Sequence, residues 1–504
     1  MKCLPAQPGA SRRAFRPGLS SCLLLLLATL SLNLRAASPA YNVLFLAVDD
    51  LRPELGCYGH PLIKSPNIDR LAAQGLRFNR AYCQEALCNP SRASLLTGLR
   101  PATLGVFDLV THFRDRNPDV VTLPQIFKKN GCTSISLGKI FHTTNGNHDD
   151  NESWSEPPWR GPAGQPEEPD GPAPAAAMGK KKKGAKAASA DHSNTLPYGA
   201  PDCDDDGLLD GKIATQALAV LNRIKDKPFF LGVGFHKPHL PFVSPKKYWG
   251  LYQASDLKLA PNPFLPKDAP AFASNDASEL RRYKDVPDAG PVSDEAALNL
   301  IHAYYACVSY TDAQVGRVLA ELDRLGLREK TIVILWGDHG YHLGEHGTWT
   351  KRTNWEIATR APLIISVPGQ KTAGAATEAL VEFVDIYPTL TELCQIAPPT
   401  NLAGQSFVPL IENPRRDWKT AAFSIYPKEI PGAGKGFGRA MRTDRYRLVE
   451  WSADGSEKRF YELYDHTTDP QENVNVADLA GNKQLLQGLL EQLHAGGQKA
   501  PPRK

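Results

Sequence analysis

Five short runs dominated by Val, Ile, Leu and Phe constrain what this chain can fold into: NVLFLAV (42–48), TSISLG (133–138), PFFLGVGF (228–235), TIVILWG (331–337) and PLIISVP (362–368). A strand with one face in water alternates apolar and polar residues, whereas runs this apolar need cover on both faces. Helical periodicity fills the intervals at 67–75, 91–97, 122–130, 212–225 and 294–325, the last long and amphipathic. The alternation predicts an α/β fold with a mostly parallel or mixed central sheet flanked by helices.

The pattern changes at both ends. After about residue 415, AAFSIYP (421–427), GRAMRTDRYRLVEW (438–451) and FYELYDH (460–466) read as antiparallel strands and LLQGLLEQLH (485–494) as a closing helix. These predict a smaller α+β domain over 416–504 behind a large domain over 39–415. Residues 157–195, rich in Pro, Gly and Ala with a run of lysines at 180–183, read as a flexible low-complexity insertion.

Residues 1–38 read as an export signal. Arg12, Arg13 and Arg16 precede the apolar run 22–34, and small residues follow. The apolar run is short for a membrane span. Losing Lys2, Arg12, Arg13, Arg16 and Arg35 turns the formal net charge from +4 to about −1, so the charge gives no support for a nucleic-acid partner. The expected protein is exported to a periplasmic, extracellular or lysosomal space, with no membrane span in its mature form. Outside the signal and apart from Cys88, six cysteines (57, 83, 132, 203, 307 and 394) are spread without zinc-like clustering. Buried free thiols are expected for most of them.

Two of the strands run directly into acidic pairs, Asp49-Asp50 and Asp338-His339. Ligands of open α/β sheets gather beyond the carboxyl ends of strands. Carboxylates brought together there repel one another unless a hard cation such as Ca²⁺, or alternatively Mg²⁺, lies between them. The plainer explanation is that acidic residues after strands form turns and helix caps. A second feature is LCNPSRASLLTG (87–98), where Cys88 precedes Pro90 at a helix start. A helix N-terminus and Arg92 would depress a thiol pKa and make a thiolate nucleophile. A buried structural cysteine fits the same residues.

The stretch Cys88-Asn89-Pro90-Ser91-Arg92, followed by Leu96-Thr97-Gly98, resembles the signature of the sulfatase family. Asp49-Asp50, GKIFH (138–142), HKPH (236–239), GDHG (337–340) and Lys351 occur in the family's order. Within the family, the segments around them look most similar to the iduronate-2-sulfatase group. The resemblance implies an alkaline-phosphatase-like fold and a formylglycine made from Cys88 by a formylglycine-generating or anaerobic sulfatase-maturating enzyme. It implies a metal held by Asp49, Asp50, Cys88, Asp338 and His339, where most of the family has Asp-Asn at the second pair; His339 is alternatively a hydrogen-bonding neighbour of the metal. Arg92 and Lys139 would stabilise the formylglycine hydrate, with His142 as its partner or base. His236 would protonate the leaving oxygen and Lys351 would clamp the sulfate. Tyr341 would be a substrate contact, His346 reads as structural, and the resemblance assigns no role to His239 or His342. Arg52 either pairs with a uronate carboxylate or forms a structural salt bridge.

The expected activity is metal-dependent hydrolysis of sulfate esters in a sulfated oligosaccharide or polysaccharide, with the 2-O-sulfate of iduronate or a related uronic acid foremost. A phosphodiester or phosphonate hydrolase of the same superfamily is the alternative enzyme. A silent glycan-binding protein is the alternative should Cys88 stay unoxidised.

Overall fold

A computed structural model describes residues 39–144, 147–162, 194–275 and 279–496, together with the isolated Leu4. The export-signal reading of 1–38 and most of the insertion, 163–193, therefore lie outside the described residues. Within the insertion's described residues, Trp159 bridges to Leu137, its N–H donating to Ser136 O. No helix among the described residues is long and apolar enough to cross a membrane.

The large sheet has seven strands: β1 (Asn42–Val48), β2 (Leu76–Tyr82), β3 (Thr133–Gly138), β4 (Phe229–Phe235), β5 (Thr331–Gly337), β6 (Leu363–Ser366) and β7 (Ala376–Glu382). Their order is β3-β4-β1-β5-β6-β2-β7. All neighbours pair in parallel except at β6, which is antiparallel to both β5 and β2. The predicted mixed, mostly parallel sheet is what forms. Along β1, Leu44, Leu46 and Val48 face one core and Val43, Phe45 and Ala47 the other, all fully buried. Each Val, Leu or Phe side chain there contributes about 1.5–3 kcal/mol by leaving water, which is why the buried stretch 43–48 carries no polar residue. The first face is covered by α1 (Pro66–Ala73), α4 (Leu209–Ile224) and α5 (Asp294–Arg324), and the second by α2 (Cys88–Thr97), α3 (Leu123–Lys129) and α6 (Ile386–Leu393).

Register decides the chemistry. Val48 pairs with Phe235 on one side and Gly337 on the other, and Gly138 pairs with Gly234. Four adjacent strands thus end nearly level, and the next residues are Asp49, His236, Asp338 and Lys139.

The small sheet is antiparallel, β8 (Ala421–Ile430), β9 (Gly434–Thr443), β10 (Tyr446–Ser452) and β11 (Arg459–Asp465), with α7 (Lys483–Ala495) packed on Met441, Leu448 and Leu463. The run 438–451 is two strands of a hairpin, turning at Asp444-Arg445. The sheet joins the large one through Ile425 N–H to Gln84 O (2.8 Å), Ser424 Oγ to Cys83 O (2.6 Å) and a buried ion network. In that network Arg447 donates to Glu472 (2.5 Å) and pairs with Glu356. Burial alone would raise the Glu472 carboxyl, but Arg447 and His466 outweigh it and hold it at about 2. A carboxyl depressed in the folded state stabilises above its ordinary value near ~4.3 and loses that contribution as pH falls toward the folded value. Thermal midpoints measured between pH 5 and 3 are therefore expected to fall with acidification. In Glu472→Gln the midpoint is lower at pH 5 and the slope shallower, whereas an unchanged slope contradicts this assignment.

Candidate active site

The site begins with α2. Leu87 is extended, Ser91 N–H donates to Leu87 O, and the helix starts at Cys88, its ten residues all buried. It ends at Gly98 with φ +70, where a Cβ would meet Leu402 Cδ2 at 2.5 Å, so glycine is required there. Ser91 Oγ donates to Asp338 O at 2.5 Å, tying the helix to the end of β5. Cys88 Sγ consequently lies 3.4 Å from His339 Nε2.

Three fully buried carboxylates surround that sulfur. Asp49 accepts from Arg92 Nη2 (3.0 Å) and Lys139 Nζ (2.5 Å), and Asp338 from Arg92 Nε (2.9 Å). Asp50 accepts from Lys351 Nζ at 3.1 and 3.0 Å through its two oxygens. Arg92 also donates to the carbonyls of Lys139 and Ile140 and lies over the Trp336 ring, 5.6 Å from its centroid. Asp50 sits at φ +58, tolerated because a short polar side chain is least penalised there. Its N–H donates to Asp338 Oδ1 (3.0 Å) and its carbonyl accepts from Tyr304 Oη (2.7 Å).

The three carboxylates offer the oxygen donors that a hard cation takes. One oxygen each of Asp49 and Asp50, Cys88 Sγ and a His239 nitrogen lie within 4.8 Å of one another, as do Sγ, an Asp338 oxygen and a His339 nitrogen. His339 Nδ1 pairs with Gly340 O at 2.9 Å, which assigns the ring proton to Nδ1. Nε2 then presents a lone pair to Asp50 Oδ1 at 3.5 Å and Asp338 Oδ2 at 3.6 Å. Convergent lone pairs and carboxylates are what a cation with oxygen and imidazole ligands resolves.

The setting of the sulfur favours the thiol form of Cys88 over the thiolate alternative. Burial, then Asp49, pushes the Cys88 thiol well above its ordinary value, with Lys139 and Lys351 only partly opposing. The positive charge of Arg92 is already committed to Asp49 and Asp338.

The flanking histidines differ. Burial, then Lys139, pushes His142 and His236 well below the ordinary imidazole value. His142 pairs with Thr144 Oγ1 at 3.0 Å and keeps Nδ1 buried without a partner. His236 is seated by its backbone N–H on Asp210 (2.8 Å). His239 opposes its own burial through Asp50 and Glu279 and is raised instead, with Nε2 at 3.1 Å from Glu279.

Arg52 and Tyr341 are not brought to the sulfur. Arg52 pairs with Glu54 (2.6 Å) and Glu345 (2.7 Å), the salt-bridge alternative, and lines a separate cavity of about 290 Å³ with Glu345, His346 and Arg360. Tyr341 is fully buried, donates to Trp349 O and underlies Lys351. His342 pairs with Thr353, and His346 packs on Trp355. Two site residues lay outside the sequence reading. Glu279, from an irregular segment, pairs with Lys351 (3.0 Å) and His239; Tyr304, on α5, receives the Arg52 N–H (3.0 Å) while donating to Asp50 O. Neither carries a local signal, since each reaches the site only through tertiary packing. No disulfide joins the seven cysteines of the described residues, of which Cys57 and Cys203 are half-buried and the others buried.

Comparison with known proteins supplies the remaining facts. The sulfatase family model matches residues 41–396, and that of the N-sulphoglucosamine sulphohydrolase C-terminal region matches 344–499. Iduronate 2-sulfatase of Mus musculus is 34% identical, over 90% of this chain and 94% of its own. A protein solved with its substrate D-glucosamine-2-N,6-O-disulfate superposes with TM-score 0.70 at 23% identity, covering 91% of this chain and 97% of that one. Phosphonate monoester hydrolase of Agrobacterium radiobacter gives 0.69 at 24% identity, covering 91% and 96%.

Proposed function

The chain belongs to the sulfatase family, the sulfuric ester hydrolases, and from that premise we propose that it removes the 2-O-sulfate of iduronate, or of a related uronate, in a sulfated glycosaminoglycan. The nucleophile of this reading is a formylglycine made from Cys88 by a formylglycine-generating or anaerobic sulfatase-maturating enzyme, in an exported protein. The observation that carries it is the setting of Cys88: the first residue of a buried helix, between two acidic pairs and among Arg92, Lys139 and Lys351. The iduronate preference draws on the similarity to iduronate 2-sulfatase.

When formed, a formylglycine hydrate supplies two hydroxyls on one carbon, one to attack sulfur and one to release the product, and a divalent cation at Asp49, Asp50, Asp338 and His339 supplies charge compensation and Lewis acidity. Ca²⁺ suits the oxygen donors best, with Mg²⁺ as the alternative.

The chain's own residues do the rest. Arg92 holds Asp49 and Asp338 in one orientation, so the reacting atom meets a preorganised site. Lys139 on Asp49 and Lys351 on Asp50 place two ammonium groups where a sulfate ester brings anionic oxygens. His142 is the partner of the residue at 88 in this reading, and His236, whose burial favours the neutral ring, would serve the leaving oxygen as an N–H donor. Tyr304 and Glu279 position Asp50 and Lys351 without touching substrate.

The test is a pair of assays on matured protein with Ca²⁺ or Mg²⁺: sulfate release from a 2-O-sulfated uronate disaccharide, and turnover of a phosphonate monoester. Preference for the disaccharide supports the reading. Preference for the phosphonate replaces it with the alternative hydrolase, and turnover of neither by fully converted protein rejects both.

A further inference from the structure

Arg92, Lys139 and Lys351 each close on a carboxylate of the site. Arg352, the residue after Lys351, does not. Among the described residues no ion pair closes on its guanidinium, and its Nε is buried without a hydrogen-bond partner. The group approaches the Tyr426 hydroxyl and lies in electrostatic reach of Glu279 and Glu85.

Three segments fix it there. Arg352 has φ +33, in the left-handed region, and its N–H donates to Ala86 O at 3.1 Å, two residues before Cys88. Tyr426 follows Ile425, whose N–H is held by Gln84 O at 2.8 Å. The small sheet, the segment leading to α2 and the Lys351 loop therefore meet around Arg352. Glu85 does not neutralise it. That side chain is fully buried, neither carboxyl oxygen is hydrogen-bonded, and burial followed by Asp108 holds it toward its neutral form.

A partly desolvated arginine with no direct ion pair among the described residues, one residue from the sulfate-binding lysine, is a receptor for a second anion. We infer that Arg352 reads the carboxylate of the sulfated uronate while Lys351 takes the sulfate, with Tyr426 of the small sheet as the positioning residue. This rests on the uronate reading above. A guanidinium matches a carboxylate through two parallel N–H donors, a geometry that lysine does not reproduce.

The experiment compares two substrates on matured protein: a 2-O-sulfated uronate disaccharide and the same disaccharide with its carboxyl reduced to a primary alcohol. The wild type is expected to favour the carboxylate by about 10- to 100-fold in kcat/KM, the size of a charge-assisted hydrogen-bonded pair. Arg352→Gln brings that ratio toward one, mainly through KM, and Arg352→Lys keeps part of it. A ratio unchanged in Arg352→Gln overturns the inference alone. Wild-type protein that hydrolyses an aryl sulfate but neither disaccharide overturns the uronate reading, and this inference with it. Should Arg352→Gln fail to fold, Tyr426→Phe reads the same ratio: a severalfold fall supports the inference and no change overturns it.

Discussion

Cys88→Ala is expected to yield a folded protein that releases no measurable sulfate. The side chain is buried and, among the described residues, its sulfur has one contact at hydrogen-bond distance, His339 Nε2 at 3.4 Å. Truncation therefore removes a single heavy atom from a packed position, a change on the order of 1 kcal/mol. The activity loss is far larger, because residues that act as a nucleophilic unit fail together and removal of the nucleophile costs on the order of 10⁴-fold or more. Sulfate release and thermal unfolding of one preparation separate the two effects. A variant that keeps turnover rejects Cys88 as precursor of the nucleophile, and one that loses both activity and fold is read from Cys88→Ser. Serine keeps the volume and a hydroxyl but lacks the second hydroxyl that frees the product, so Cys88→Ser is expected to stop after one sulfation.

Arg92→Met is expected to produce the largest loss of stability of any single change at the site. The guanidinium is fully buried and touches two carboxylates, two carbonyls and the Trp336 ring. Removing it leaves Asp49 and Asp338 without their shared partner and two main-chain acceptors unpaired. Breaking one side of a buried pair costs about 3–5 kcal/mol, a large share of the ~5–15 kcal/mol by which a domain is stable. Arg92→Lys keeps the charge, but one ammonium does not span both carboxylates and the carbonyls. It is expected to be less destabilised while still losing about 10²–10³-fold in kcat, the usual effect of removing a preorganised electrostatic contact. Denaturant midpoints and kcat measured on both variants check this. Near-wild-type stability of Arg92→Met contradicts the role assigned to that side chain.

How far the site was legible differs from residue to residue. The acidic pairs were readable because the strands before them are buried on both faces and so unusually apolar. By contrast, β2 and β7 were missed. LRFNRAY alternates, with Arg77, Asn79 and Arg80 half-exposed, and ATEALVE is an edge strand with too few apolar residues to stand out. For Cys88 the string left a thiolate and a buried structural cysteine side by side. Sequence shows a helix start and an arginine, but not that burial dominates or that two carboxylates already occupy the guanidinium. Arg52 was undecidable, since a uronate-binding arginine and one locked between Glu54 and Glu345 look alike in a string. Glu279, Tyr304 and the meeting of Arg352 with Tyr426 depend on contacts between segments far apart in sequence, which no local pattern announces.

The central claim is that the residue at position 88 works as an aldehyde rather than a thiol. Mass spectrometry of the proteolytic peptide spanning position 88, on preparations matured to different extents, tests it directly when paired with sulfate release from each. The account predicts a lighter peptide that traps a carbonyl reagent, and activity proportional to its fraction with no turnover at zero conversion. Full activity from protein whose position 88 is entirely unmodified cysteine would contradict it.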